Sequence, residues 1–231
     1  MTDPDASTDS TAPDEHDPGP PRLSPIEARI LACLVEKEAT TPDQYPLTEN
    51  ALTLACNQKT SRDPVMNLST GEVGHTLRRL EDRQLVRSQH ASRAQRWGHR
   101  FAAAWDVTTQ QQAVLCVLLL RGPQTLNEIL TRSERIARFA DADELQHTLE
   151  RLAGREPALV LKLPRAPGQR EERWAQLLTG PVDLEAFAAA SAAAAQPGAR
   201  GLDMTALSAR VEALEQRVAA LEASLPAPPM D

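Results

Sequence analysis

The sequence predicts a mainly α-helical protein with small β-hairpin wings, arranged as two tandem winged helix-turn-helix domains. Helix-capping signals precede apolar residues at helical spacing, and an order of three helices and a hairpin occurs twice in the 231 residues. The two ends also differ in composition from the middle. We therefore assign 1–22 to a disordered acidic arm, 23–105 and 106–180 to the two domains, 181–203 to an Ala/Pro/Gly-rich linker and 204–226 to a short coiled-coil helix.

The first domain begins with a capping signal and ends with a hairpin. Ser24 and Glu27 can cap each other's backbone amides, and Ile and Leu follow at helical spacing. Thr48 starts a second short helix, and Ser69 opens a third. Two short strands then flank the polar stretch 88–95, which predicts a β-hairpin. This is the winged helix-turn-helix order, in which the third helix reads DNA.

The same order of elements begins again at Thr109, which can cap a new apolar helix together with Gln112. The two third helices can be aligned directly. STGEVGHTLRRLE from Ser69 and DADELQHTLERLA from Asp141 share Glu, His, Thr, Leu, Arg and Leu in register. Agreement in order, caps and hairpins indicates a tandem duplication.

A heptad pattern near the C-terminus predicts a homodimer. Its apolar residues alternate at spacings of three and four, with Val at two a positions and Leu at d, which favours a parallel two-stranded coiled coil. Because about three heptads is short for a stable coiled coil, the alternative is an amphipathic helix folded onto its own domain. The predicted dimerisation residues are Leu207, Val211, Leu214, Val218, Leu221 and Leu225.

Three stretches of the sequence resemble a known family. EKEATTPDQYPLTENALTLACNQKTSRDPV from Glu36, LLLRGPQT from Leu118 and LPRAPGQRE from Leu163 are similar to the YceH-like bacterial proteins, uncharacterised protein family 0502. The resemblance covers about residues 23–180. It implies a tandem winged-helix architecture and carries no established biochemical activity. The family usually has an apolar residue where this chain has Glu49.

The charge distribution indicates a basic face on an acidic chain. The net charge of -7, from 32 acidic and 25 basic residues, argues by itself against a nucleic-acid partner. Residues 1–22 carry -5 and residues 181–231 carry -4, however, which leaves +2 for the two domains. Within them, residues 70–100 hold seven arginines against three acids.

We therefore expect the third helix and hairpin of the first domain to bind double-stranded DNA, the helix in the major groove and the hairpin on phosphates or the minor groove. The alternative is that these arginines only keep the surface soluble. Two further bases follow the second helix, where such proteins cross the DNA backbone, although the connection 57–68 is longer than the usual turn and its bases could instead favour the helix dipole. The predicted DNA-binding residues are Lys59, Arg62, Arg78, Arg79, Arg83, Arg87, Arg93 and Arg96.

The second domain is a weaker candidate for DNA binding. Residues 141–155 carry four acids and two bases, which would repel phosphate and favour packing or contact with a protein partner. The rival function for the whole chain is therefore a protein-interaction scaffold of tandem winged-helix type without direct DNA readout.

Motifs of catalysis and cofactor binding do not occur: there is no Gly-rich phosphate loop, no Cys-x-x-Cys pair and no Gly-x-Ser-x-Gly elbow. We expect no enzyme activity, no cofactor and no metal. Cys33, Cys56 and Cys116 lie in apolar helical patterns, which predicts core cysteines and a reducing compartment. The longest apolar run, Ala113–Leu120, is far shorter than the roughly 20 residues of a membrane helix, so a cytoplasmic protein is expected.

Overall fold

The computed structural model describes residues 22–90, 94–165, 171–195 and 212. The predicted dimerisation residues and almost all of the acidic arm lie outside this part of the chain. The described residues up to Lys162, together with Arg173–Pro181, form one compact unit, and the described residues among 163–172 and from Val182 onward form another. The described chain is mainly helical with small antiparallel sheets, which confirms the predicted secondary-structure class and is consistent with a winged-helix-like mixed fold.

The first half contains three helices and a three-stranded sheet. The elements are α1 (Pro25–Thr40), a 3-10 helix (Pro42–Gln44), β1 (Leu47–Thr48), α2 (Glu49–Cys56), α3 (Thr70–Asp82), β2 (Val86–His90) and β3 (Gln95–His99). The sheet order is β1-β3-β2 and both pairings are antiparallel, with Leu47 opposite Trp97 and Val86 opposite His99. The predicted hairpin is therefore confirmed, and β1 is a third strand that the sequence does not predict.

The described part of the second half contains five helices and a two-stranded sheet. Its elements are α4 (Phe101–Trp105), α5 (Thr109–Arg121), α6 (Leu126–Ser133), α7 (Ala142–Ala153), β4 (Val160–Leu163), β5 (Arg173–Gln176) and α8 (Leu184–Ala195). Helix α8 lies within the segment whose composition indicates a linker. Alanine has the highest helix propensity, which explains why the described part of this segment is helical.

Local capping explains where most of the helices begin. Ser24 accepts a hydrogen bond from the amide of Glu27, whose carboxylate accepts one from the amide of Ser24, so the predicted capping box is present. Helix α5 differs by one residue from the prediction, because Thr108 and Gln111 form its box in place of the next residue pair. The sequence predicts a side-chain cap followed by an apolar helix at this place, and the structure has both, with the cap one residue earlier.

The core connects the two halves of the chain. Helix α1 packs along α5, and both belong to one cluster of buried apolar side chains. The thiol of Cys116 in α5 donates a hydrogen bond of 3.3 Å to the carbonyl of Ala32 in α1. Cys33 and Cys56 are also buried and free, which confirms that the three cysteines belong to the core. None of the described helices is long and apolar enough to cross a membrane.

Candidate nucleic-acid interface

Helix α3 has one buried and one exposed side. Val73, Leu77 and Leu80 are fully buried in the core. His75 and Arg78, which are one turn apart, are exposed to solvent, and no hydrogen bond or ion pair of the Arg78 side chain is found within the described residues. The helix therefore presents basic and polar side chains outward while its apolar side fixes its position.

Two arginines at the end of α3 contact an acid from α1. The Glu27 carboxylate is 2.9 Å from a guanidinium nitrogen of Arg83 and 3.5 Å from one of Arg79. Burial alone would raise the pKa of Glu27, but the Ser24 amide and Arg83 outweigh it and hold that pKa below its usual value. Arg83 also donates to the Arg22 carbonyl at 2.8 Å and is 30% exposed, whereas Arg79 is 56% exposed. Arg79 thus remains accessible, and Arg83 is largely engaged within the fold.

The arginines of the hairpin also differ in availability. Arg87 is exposed on β2, opposite Gly98 of β3. Arg96 is half-buried and donates to the carbonyls of Pro46, at 2.8 Å, and Gln44, at 3.3 Å, so it positions the chain before β1. Arg93 lies outside the described residues.

Of the two basic residues after α2, the structure leaves one on the surface. Lys59 is exposed. Arg62 is buried with a side-chain exposure of 0%, and its guanidinium binds both carboxylate oxygens of Glu36 at 2.6 and 3.1 Å and the carbonyl of Ala55 at 3.1 Å. We therefore correct the predicted set: Arg62 is a structural residue, because a guanidinium enclosed by these acceptors has no access to a phosphate.

The long connection between α2 and α3 is an ordered loop. Asn57 exchanges two hydrogen bonds of 2.8 Å with the backbone of Leu68, which brings the two ends of the loop together. The buried Arg29 donates to the carbonyls of Cys56 and Pro64. This loop is longer than the turn of a compact helix-turn-helix. Arg29 of α1 and Asn57 at the start of the loop hold it in place.

A close approach of α2 to α3 occurs at Gly74. A Cβ atom at this glycine would lie 2.6 to 2.8 Å from the carboxylate atoms of Glu49. The Glu49 side chain therefore lies directly against α3. Because this negative charge is near the first half of α3, the exposed arginines Arg78 and Arg79 of the second half offer the more favourable surface for an anion.

We define the basic face as His75, Arg78, Arg79 and Arg87, the exposed histidine and arginines of α3 and of the strand that follows it, beside which the acids Glu72 and Asp82 of α3 are also exposed. The two elements are in contact, and the backbone amide of Ser88 donates to the Glu81 carboxylate at 2.9 Å. This hydrogen bond fixes the start of the hairpin against α3. The basic face therefore lies on two adjacent, packed elements and not on independent loops.

The corresponding helix of the second half carries one base, Arg151, where α3 carries two, and it is the more acidic of the two helices. Asp143, His147 and Glu150 are exposed on α7, and they line a surface depression together with other charged residues of that helix. Glu150 occupies the position that Arg78 has in α3. Exposed acids on this helix would repel phosphate, so a poor surface for DNA on the second half remains a prediction.

No group of three or more His, Cys, Asp or Glu side chains in the described part of the chain is arranged to hold a metal ion.

The fold and this surface define a class: a mainly helical protein with small antiparallel sheets and an exposed, arginine-bearing third helix. The family model described as "Protein of unknown function, DUF480" matches residues 23–169. UPF0502 protein XCC4136 of Xanthomonas campestris pv. campestris is 56% identical over 207 residues, which are 90% of this chain and 92% of that protein. UPF0502 protein mll4256 of Mesorhizobium japonicum is 52% identical over 207 residues, 90% of this chain and 96% of its own. UPF0502 protein Smlt0097 of Stenotrophomonas maltophilia is 54% identical over 208 residues, 90% and 94% of the two chains.

The chain therefore belongs to this family, uncharacterised protein family 0502, and the resemblance of its sequence motifs is confirmed.

Proposed function

We propose that this protein is a cytoplasmic tandem winged-helix protein that binds double-stranded DNA through α3 and the β2–β3 hairpin, in a regulatory role. The observation that carries the proposal is the basic face. Its arginines are exposed on one side of a helix whose other side is fixed in the core, and on the strand that follows. The order of three helices and a hairpin supports the same function, since the third helix of such domains enters the major groove.

The roles of the side chains follow from their chemistry. The planar guanidinium of Arg78 can donate two parallel hydrogen bonds to a guanine edge or to a phosphate, and Arg79 can reach the adjacent backbone. Arg87 on the hairpin would contact phosphates and fix the orientation of the helix. The proposed contacts are those of a binding protein, and the proposal includes no catalytic step and no cofactor.

A homodimer would place two such surfaces on adjacent half-sites of one duplex. The proposed dimer forms through the heptad residues between 207 and 225. Two half-sites bound together give a longer recognition sequence than one domain can read, which suits a regulatory protein.

The second candidate function, a protein-interaction scaffold, is favoured by one observation. Exposed acids on α7 make this helix unsuitable for phosphate and suitable for a partner that carries basic residues. The two functions predict different behaviour with DNA, because a scaffold needs no affinity for a duplex.

Salt-dependent binding of the full chain to duplex DNA tests the proposal. We expect affinity to fall steeply between about 50 and 200 mM salt, and Arg78→Ala and Arg87→Ala each to weaken binding and reduce the slope of log affinity against log salt by about one. Fluorescence anisotropy with a labelled random-sequence duplex measures both quantities.

The matched control is Arg135→Ala, which removes an exposed arginine after α6 in the second half and should leave the slope unchanged. Absence of binding at the lowest salt concentration would contradict the proposed function and favour the scaffold. Binding that both basic-face variants leave unchanged would refute the assignment of the site.

A further inference from the structure

We propose that the acidic segment 1–21 of this chain binds the basic face of its own α3 and competes there with DNA. The inference rests on the proposed function, since it concerns the regulation of the same surface. The occupant is an arm of the chain itself, because both the point at which the arm leaves the fold and its charge match this surface.

The point at which the arm leaves the fold is fixed beside α3. The carbonyl of Arg22, the first described residue, accepts a hydrogen bond of 2.8 Å from Arg83, which directly follows α3. The next residue, Leu23, is buried, and its amide donates to the carbonyl of Leu178 at 2.8 Å. Arg22, to which the segment 1–21 is joined, is therefore within hydrogen-bonding distance of the residue that follows α3.

The charge of the arm is complementary to the charge of this surface. Residues 1–21 contain six acids and no Lys or Arg. The structure already contains one carboxylate at this end of α3, since Glu27 contacts both Arg79 and Arg83. The two arginines at this end of α3 thus already bind a carboxylate of α1.

The length of the arm is sufficient for it to cover the whole basic face. A segment of 21 residues spans up to about 70 Å when extended, whereas the 13 residues of α3 span about 20 Å. A short tether also gives the acids an effective concentration near the helix on the order of millimolar. Even a weak electrostatic contact would therefore be populated at low salt.

Competition changes the salt dependence of DNA binding in a defined direction. When DNA displaces the arm, the acids of the arm take up cations, which offsets part of the counterion release from the duplex. A variant whose arm has lost its charge should therefore bind DNA more tightly than the unchanged protein, with a steeper salt slope. The DNA affinities of the two proteins should converge as salt weakens the contact of the arm.

The test uses the full chain with its six arm acids replaced by amides. The substitutions are Asp3→Asn, Asp5→Asn, Asp9→Asn, Asp14→Asn, Glu15→Gln and Asp17→Asn. We expect DNA affinity to rise about tenfold at about 50 mM salt and the difference to vanish near about 300 mM.

A control with the same net charge separates the arm from a general charge effect. It replaces six exposed acids elsewhere by amides, namely Glu134, Asp143, Glu150, Glu156, Glu171 and Glu185. We expect this control to bind within about twofold of the unchanged protein if the effect needs the tethered acids. An equal rise in both variants would overturn the proposal.

A second measurement needs no DNA, so that failure of the arm contact and failure of the proposed function can be distinguished. A nitroxide label at Ser10→Cys reports on the arm, because the three native cysteines are buried. We expect paramagnetic broadening of α3 and β2 amide resonances at low salt, and its loss both in high salt and when the six arm acids are replaced.

The two measurements together allow distinct conclusions. No broadening at low salt would overturn the proposal, and so would broadening without a change in DNA affinity in the arm variant. Broadening in a protein that binds no DNA under any condition would support the contact between the arm and α3 but refute the proposed function.

Discussion

At the scale of single residues, arginine has two different roles in this chain. Arg62 and Arg96 donate to protein acceptors within the fold, while Arg78 and Arg87 are directed to solvent. The sequence predicts where positive charge is concentrated, but it does not show which carbonyls and carboxylates surround a guanidinium. Exposure on α3 was predictable because its apolar residues have a helical period, whereas the burial of Arg62 depends on Glu36, which is 26 residues away.

Replacement of Arg62 by alanine should destabilise the protein strongly. The change leaves the carboxylate of Glu36, which is largely buried, and the carbonyl of Ala55 without their donor, and loss of one partner of a buried pair costs about 3 to 5 kcal/mol. The free energy of unfolding from urea denaturation measures the effect.

The matched control is Arg78→Ala, which removes an exposed arginine and should change the free energy of unfolding by less than about 0.5 kcal/mol. If the two variants were equally stable, the structural role assigned to Arg62 would be wrong.

At the scale of elements, the predictable features are those encoded within a few residues. The capping boxes and the β2–β3 hairpin follow from local patterns and are present. Strand β1 has two residues and exists because Leu47 and Thr48 pair with β3, about 50 residues further on. The ordered α2–α3 loop likewise depends on Arg29 of α1. Neither element leaves a local signal, and so neither was predicted.

The hairpin is connected to α1 through His99, which makes fold stability dependent on pH. Its Nδ1 accepts the Phe101 amide at 3.1 Å, so Nε2 carries the proton and donates to Glu38 at 2.9 Å in the neutral ring. Burial lowers the pKa of His99 below its usual 6.5, although Glu38 acts in the opposite direction.

A group with a lowered pKa in the folded state favours folding above its unfolded pKa. We expect stability to fall as the pH drops below about 6.5 and through the lowered pKa, with a slope of at most about 1.4 kcal/mol per pH unit. Urea unfolding at a series of values from about pH 7.5 down to about pH 5 measures this slope. In the His99→Gln variant, the contribution of His99 to the slope of the free energy of unfolding against pH should disappear.

Glu38→Gln provides an independent comparison. It removes the neighbour that raises the pKa of His99, and the loss of stability should therefore extend to lower pH than in the unchanged protein. An identical pH profile for His99→Gln and the unchanged protein would show that His99 is not the titrating group.

At the scale of the whole molecule, the proposed dimer predicts a mass that depends on the heptad residues. Leu214→Glu with Leu221→Glu places charges at two d positions and should convert a dimer into a monomer. The molar mass measured by light scattering should then fall by half. Gln216→Glu with Ala223→Glu adds the same charge at outer f positions and should leave the mass unchanged. A monomeric unchanged protein at micromolar concentration would exclude the homodimer.

The common core of α1 and α5 also has a consequence for the geometry of binding. Repeats with separate cores can rotate about the segment that joins them, whereas side chains interlocked across α1 and α5 leave no such freedom. A ligand on α3 and a ligand on α7 would then be held at one constant angle and separation. The two halves would act together as a rigid spacer that determines how two bound macromolecules are oriented.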